Sequence, residues 1–131
     1  MDMNAIRVAE ECTRLSDEEG TPFPEIVAAL MGAGIEQYHA DLLRSEKTYY
    51  MPDGTSHVVA GAAVKGVFAR EFAGDDVQAA VRAAQAGLPY SQFCTRIAAA
   101  GCTGYFVSMT GRRAVYFGRT GENLTEHFPG R

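Results

Sequence analysis

The stretch that decides the fold is PYSQFCTRIAAAGCTGYFVSMTGRRAVYFGRTG, which spans Pro89–Gly121. Its pattern predicts a short helix, a glycine stop and a β-hairpin. An earlier segment resembles it, because Gly20–Gly54 falls on Gly87–Gly121 without a gap when the two are aligned. The pattern indicates an internal repeat, which bears on the whole architecture. The matched positions include Gly20/Gly87, Pro22/Pro89, Gly34/Gly101, Tyr38/Tyr105, Tyr49/Tyr116 and Gly54/Gly121.

The periodicity of apolar residues predicts the individual elements. Helices are expected where apolar residues recur every three to four positions, and strands where they alternate. The predicted helices cover Asn4–Ser16, Pro24–Met31, a segment from Asp75 or Asp76 to Gly87, and a segment from Ser91 to Gly101. The predicted strands cover Ile35–Leu42, Lys47–Met51, His57–Ala60, Cys102–Met109, Ala114–Gly118 and Leu124–Phe128.

Two hairpins in two similar halves most simply join one sheet. We therefore predict an α+β fold in which two helix–helix–β-hairpin pseudo-repeats merge into one antiparallel sheet with the helices on one face. The pseudo-repeats cover about residues 1–67 and 68–131. Neither half buries its own hydrophobic face well, so we expect residues 1–131 to form a single domain around one core.

Composition and charge exclude several classes of protein. With 131 residues, 47% of them apolar, the chain can bury a core, and disorder is not expected. Because the net charge is −4, we do not expect the basic surface that nucleic-acid binding usually needs. Three cysteines without a Cys-x-x-Cys motif favour a reduced, cytoplasmic protein. No apolar run approaches the ~18 residues of a membrane span, so we expect a soluble protein without a membrane partner.

Several segments together resemble a known family. They are YSQFCTRIAAAGCTGYFVSMTGRRAVYFGRTGE closing on EHFP, and, in the first half, TPFPEIVAALMGAGIEQYHADL and TYYMPDG. These segments are similar to the YbcV-like family of small bacterial and prophage proteins, sometimes labelled phage envelope proteins. The resemblance covers nearly the whole chain. It implies no established activity, cofactor or catalytic residue.

Two pairs of polar residues are candidates for ligand binding. His39 and Asp41 lie on the same face of a predicted strand, although a solvated strand face is the simpler interpretation. Arg112 and Arg113, at a hairpin tip, suit an anion, although two solvated tip residues are again the simpler interpretation. The three histidines show no His-x-x-x-His spacing, so we predict neither a metal site nor a cofactor.

The cysteines are weak candidates for nucleophilic catalysis. Cys94 lies beside Phe93 on an apolar helix face, and Cys102 occupies the position that Ile35 holds in the first half. An isoleucine at the equivalent position indicates a buried, small hydrophobic residue rather than a reactive thiol. We therefore predict no catalytic residue.

The second predicted hairpin carries apolar residues on both faces. We expect Gly111 and Arg112 to form the centre of a two-residue turn. The residues that then point away from the helices are Phe106, Val115 and Phe117. Monomers seldom expose a contiguous patch of this kind, so we expect a second copy of the chain to cover it. The Leu124–Phe128 tail and the Gly61–Phe72 segment are the alternative covers.

Three kinds of function remain open. The favoured one is a structural or interaction protein that acts as a homodimer. The alternative is a small-molecule or anion-binding module that uses the Arg112/Arg113 hairpin end or the open sheet face. The least favoured is an enzyme built around His39, Asp41 and a cysteine. A concave pocket lined by histidines would favour the last two, and a flat apolar face would favour the first.

Overall fold

The computed structural model describes residues 1–129 and confirms the α+β fold. The helices are α1 (Met3–Arg14), continued by a π-helical turn (Leu15–Glu19), α2 (Phe23–Gly32), α3 (Gly74–Gln85) and α4 (Tyr90–Ala99). The strands are β1 (Gln37–Asp41), β2 (Glu46–Tyr50), β3 (Ser56–Ala60), β4 (Cys102–Ser108), β5 (Arg113–Gly118) and β6 (Asn123–His127). No helix within the described range is long and apolar enough to cross a membrane.

The six strands form one antiparallel sheet in the order β3-β2-β1-β4-β5-β6. The first three strands come from the first half of the chain, and the last three come from the second half. The halves meet at the β1–β4 pair, where Tyr38 lies opposite Val107 and His39 opposite Phe106. The two hairpins therefore share a sheet, as the sequence predicts. The superposition of the two halves and the single-domain organisation stay predictions.

A row of tyrosines lines the helix-facing side of the sheet. The four rings lie in the order Tyr49, Tyr38, Tyr105 and Tyr116, and the distances between successive ring centroids are 5.3, 6.1 and 5.2 Å. All four side chains are buried, in a core cluster that includes residues from every helix. Strand alternation predicts this face correctly, because inward and outward residues follow a period of two.

The turn of the second hairpin differs from the predicted one. A four-residue loop, Met109–Arg112, joins the strands, and Ser108 pairs with Arg113. The residue with positive φ is Arg112 (φ 52°) rather than Gly111, and Ser45 (φ 54°) occupies the same position in the first hairpin. The predicted register is therefore wrong by two residues. A shift of two leaves each side chain on its predicted face.

The segment from residue 61 to 73, which the sequence pattern leaves unassigned, packs across the end of α4. The Ala69 amide donates to the Ala98 carbonyl at 3.0 Å, and the Ala73 amide donates to the Ala100 carbonyl at 2.7 Å. At Gly101 this backbone passes so close that a Cβ atom would overlap Glu71 and Phe72. Glycine is thus required at this position both for its space and for its φ of 90°.

We predict that Gly101→Ala destabilises the fold by about 1–3 kcal/mol more than Gly34→Ala, because overpacking adds to the shared cost of a positive φ. Gly34 is the matched control, since its φ is 83° and a Cβ there would meet only the end of the Met51 side chain, at 3.4 Å. Urea unfolding of the two variants measures the difference. Equal losses would mean that the 61–73 segment does not pack against Gly101.

Candidate functional site

A lysine lies on the inner face of the sheet. In β2, residues alternate between half-buried and buried, and Lys47 shares the inner face with Tyr49. Lys47 is only 7% exposed. At the corresponding place in β5 the residue is Ala114, which is also buried. An ammonium group is costly to bury, so the presence of Lys47 on this face calls for a physical explanation.

Aromatic rings surround the Lys47 amine. Its Nζ lies 4.3 Å from the centroid of the Tyr90 ring and 5.6 Å from that of Tyr38. The Tyr90 hydroxyl is hydrogen-bonded to the Tyr105 hydroxyl at 2.7 Å, and this bond holds the Tyr90 ring in place. Among residues 1–129, no carboxylate lies within ion-pair distance of Lys47. The rings offer a cation only partial compensation for lost water.

The amine belongs to a cleft with a volume of about 710 Å³. This volume lies within the range of ~300–1,000 Å³ that is typical of small-molecule sites. The cleft is lined by α1, the π-helical turn, the β1–β2 hairpin, the start of the 61–73 segment and the first half of α4. Residues that contribute to it include Thr13, Asp17, Lys47, Val64, Tyr90 and Cys94.

Hydrogen bonds fix one wall of the cleft. The Asp17 carboxylate accepts from the Ala62 amide at 2.9 Å, and the Ser45 hydroxyl accepts from the Val64 amide at 3.0 Å. The Ser45 carbonyl also accepts from the Gly61 amide at 2.8 Å. The start of the 61–73 segment is thus tied to both the π-helical turn and the first hairpin.

The amino terminus of α4 forms another wall. Tyr90, Ser91 and Gln92 line the cleft, and the first hydrogen bond of the helix runs from the Phe93 amide to the Pro89 carbonyl. The three preceding amides donate to no acceptor within the described chain. No side chain caps this helix, and its first turn has no acidic residue. Free amides at a helix amino terminus favour an anion.

The protonation states follow from burial. Burial lowers the pKa of Lys47, and this effect is partly opposed by the nearby Asp17 carboxylate. Burial also raises the pKa of the Cys94 thiol to about 11 and raises the pKa of Tyr90 well above its ordinary value. Cys94 and Tyr90 are therefore neutral at neutral pH, and neither supplies a counter-charge to Lys47.

Other charged groups at the cleft have local partners or face solvent. Asp41 accepts from the amides of Leu43 and Arg44, both at 3.1 Å, and Glu46 pairs with Arg44 at 3.3 Å. Lys65 and Arg96 also line the cleft, but both are exposed. Lys47 is thus the enclosed cation of the cleft. Such a group either attracts an anion as an ammonium or, once deprotonated, acts as a nucleophilic amine.

The ligand-binding residues predicted from the sequence do not converge. His39 and Asp41 share the face of the sheet away from the helices, and the His39 ring lies 5.6 Å from that of Phe117. Arg112 and Arg113 lie at the opposite end of the sheet from Asp41. Arg112 is occupied there, because it donates to the Pro129 carbonyl at 3.2 Å and lies 5.8 Å from the Phe128 ring. Only Asp41 of these four lines the cleft.

The thiols are separated from the histidine of the predicted enzyme site. Cys94 and Cys102 are free and buried on the helix side, whereas His39 lies on the other face. Burial also raises the pKa of Cys102 to about 11. A Cys–His pair with His39 is therefore not formed. The described residues hold no cluster of metal-ligating side chains, and no histidine lines the cleft.

The residues of the predicted interface lie on the sheet face away from the helices, and their role as an interface stays a prediction. We call the sheet face away from the helices the open face. It carries Phe106, Val115 and Phe117, which are half-buried and lie outside the core cluster. The Phe117 ring covers Gly104, where a Cβ atom would lie 2.9 Å from Phe117 Cζ. Phe128 of the tail packs on Phe23 of α2, and Phe72 of the 61–73 segment packs over Gly118, which points toward the helices. These contacts place both residues on the helix side rather than on the open face.

Sequence reasoning missed Lys47, although a signal was present. The predicted strand Lys47–Met51 places Tyr49 toward the helices, and alternation places Lys47 on the same face. A lysine on an inward strand position is uncommon enough to mark a candidate site. The cleft walls gave no comparable signal, because they come together only in the folded chain.

Comparison with known families identifies a family but no activity. Residues 16–127 match the family of proteins of unknown function DUF1398. This match spans most of the chain, which therefore belongs to that family. No curated protein matches the sequence. The matched range contains every residue that lines the cleft except Thr13.

We predict that Lys47→Met stabilises the fold at neutral pH by about 1–4 kcal/mol, because it removes a buried charge that has no carboxylate partner. The gain should shrink as the pH rises toward 10.5, the ordinary lysine value. With a lowered pKa, the folded chain releases the proton before the unfolded chain does, and the cost of burying the charge disappears. Urea unfolding from pH 7 to pH 10 measures both effects. A pH-independent loss of stability would contradict the prediction.

Proposed function

We propose that this protein binds a small organic anion in the cleft that contains Lys47. The observation that carries the proposal is a lysine that is 7% exposed, lines a cleft of about 710 Å³ and has no carboxylate partner within residues 1–129. A ligand carboxylate or phosphate would supply the missing counter-charge. This function corresponds to the small-molecule or anion-binding alternative, at a site other than Arg112/Arg113 or the open face.

The walls of the cleft support an anionic rather than a cationic ligand at the Lys47 end. The unoccupied amides of Tyr90–Gln92 belong to residues that line the same cleft as Lys47, and they add positive potential at this helix amino terminus. The acidic groups have partners of their own: Asp17 accepts from Ala62, and Asp41 accepts from the amides of its loop. The apolar rings suit the carbon part of a ligand.

The test is a titration of the full chain with lactate, citrate and inorganic phosphate, followed by calorimetry and by amide NMR shifts. At least one anion should bind, with shifts at Tyr90–Gln92. Lys47→Met should weaken that binding at least about tenfold, since a charge-assisted hydrogen bond is worth about 1.5–3 kcal/mol. Lys65→Met removes an exposed lysine from the same cleft and serves as the matched control. Equal binding by both variants, or no binding of any of the three anions, would contradict the proposal.

A second candidate function is self-association through the open face. The supporting observation is that Phe106, Val115 and Phe117 lie outside the core cluster. The other possible covers, Phe128 of the tail and Phe72 of the 61–73 segment, pack on the helix side. Val58, on the same face, is 51% exposed. Apolar side chains in this arrangement favour contact with a partner surface. We propose that the partner is a second copy of the chain, as a structural or interaction role would require.

Charge on the open face is arranged to suit a twofold dimer. Asp41 and Glu46 lie in one outer row of the face, and Arg113 lies in the opposite outer row. Glu46 is on the second strand from one edge and Arg113 on the second strand from the other, so they occupy opposite corners. Two copies can pair their open faces about a twofold axis that runs parallel to the sheets and perpendicular to the line from Glu46 to Arg113. This axis places the acidic corner of each copy on the basic corner of its partner. The strands then cross at about 90°, a known packing of paired sheets.

We predict that the wild-type chain sediments as a dimer and that Phe117→Glu sediments as a monomer, because a buried carboxylate opposes association. Val67→Glu is the control, since it introduces the same charge at a residue of the 61–73 segment that is 79% exposed. Circular dichroism checks that each variant is folded, and Val115→Glu serves if Phe117→Glu is not. A monomeric wild type at high concentration would rule out the dimer.

We also propose a reducing, cytoplasmic location and a YbcV-like, prophage-associated origin. The location is supported by three free, buried cysteines, since oxidising compartments favour disulfides. The origin is supported by the resemblance of the segments quoted above.

A further inference from the structure

We propose that the Lys47 amine condenses with the carbonyl group of a small 2-oxo acid in the cleft and forms an imine. This proposal rests on the proposed function, since the carboxylate of the same ligand provides the binding energy. The amine nitrogen bonds to the carbonyl carbon, and the carbonyl oxygen leaves as water together with the two amine hydrogens. The step needs no oxidant, reductant or further reactant.

The position of the amine favours this reaction over simple ion pairing. Lys47 Nζ lies against the rings of Tyr38 and Tyr90, at 5.6 and 4.3 Å from their centroids, and these rings cannot accept its proton. A lysine in an apolar pocket is a stronger nucleophile at neutral pH, because more of it is deprotonated. The sequence has two lysines, and the other, Lys65, is exposed.

The groups that face the amine leave it free to react. They are the thiols of Cys12 and Cys94, the phenols of Tyr38 and Tyr90, and the Asp17 carboxylate. Burial raises the pKa values of both thiols and of both phenols, so these groups are neutral. The remaining group is the Asp17 carboxylate. It is tied to the Ala62 amide, outside ion-pair distance of Lys47.

The chemical class of the ligand follows from the two walls. An imine at Lys47 fixes the carbonyl carbon at the amine, and the free amides of Tyr90–Gln92 line the same cleft. The carboxylate adjacent to the carbonyl is the group that these amides would bind, whereas a simple aldehyde has no group for them. The cleft thus favours 2-oxo acids over neutral aldehydes and over 2-hydroxy acids, which bind but cannot condense.

The experiment incubates the full chain with pyruvate and reduces it with borohydride, which turns an imine into a stable secondary amine. Intact-mass spectrometry and peptide mapping then locate the adduct. We expect at least about tenfold more adduct on Lys47 than on Lys65 or the amino terminus, because binding raises the local concentration of the carbonyl. Excess lactate should compete and lower the yield. Lys47→Met should give no such adduct, and Lys65→Met should behave like the wild type.

The outcomes separate this proposal from the function on which it rests. If lactate and pyruvate bind in a Lys47-dependent manner but reduction traps nothing on Lys47, the imine is wrong and anion binding stands. If neither binds and nothing is trapped, both are wrong. Equal labelling of Lys47 and Lys65 would show ordinary surface chemistry and would also overturn the imine. Peptide mapping of the wild-type chain needs no variant, so the test does not depend on the folding of Lys47→Met.

Discussion

The antiparallel pairing of β1 with β4 is the constraint on which the rest of the structure depends. It joins the two halves of the chain at the centre of the sheet and sets Tyr38 opposite Val107. Through that register, Tyr38 and Tyr105 become neighbours on one face, with Phe106 beside His39 on the other. The helices cover the tyrosine face, so the sheet has one buried face and one open face.

Most of the fold could be predicted because it depends on local periodicity. Alternation assigns Tyr105 and Tyr116 to the inner face and Phe117 to the open face, whether the turn has two residues or four. The hairpin register could not be predicted in the same way, because it depends on the length of the turn. Gly111 favours a two-residue turn, since glycine readily adopts the positive φ that such turns need. The structure uses Arg112 at positive φ instead, in a four-residue loop. An arginine in that conformation leaves no mark in a composition pattern.

The cleft was much harder to predict than the fold. Its walls come from segments far apart in sequence, among them Asp17, Val64 and Tyr90, and the 61–73 segment has no periodicity of its own. Only Lys47 carried a local signal, as a charged residue at an inward strand position. The sequence offers His39 and Arg113 as candidates because of their chemistry and because of their places on a strand face and at a hairpin tip. The sheet places them in different rows of the open face.

The burial of the three thiols has a consequence for the study of this protein's motions. Cys12 in α1, Cys94 in α4 and Cys102 at the start of β4 are 1%, 4% and 0% exposed. A thiol reagent reaches each of them only when the surrounding structure opens, so its rate of labelling reports the free energy of that opening. The unmodified chain therefore carries three internal reporters at separate points of its core. Equal rates would indicate one cooperative unit, and unequal rates would show which part of the core opens first.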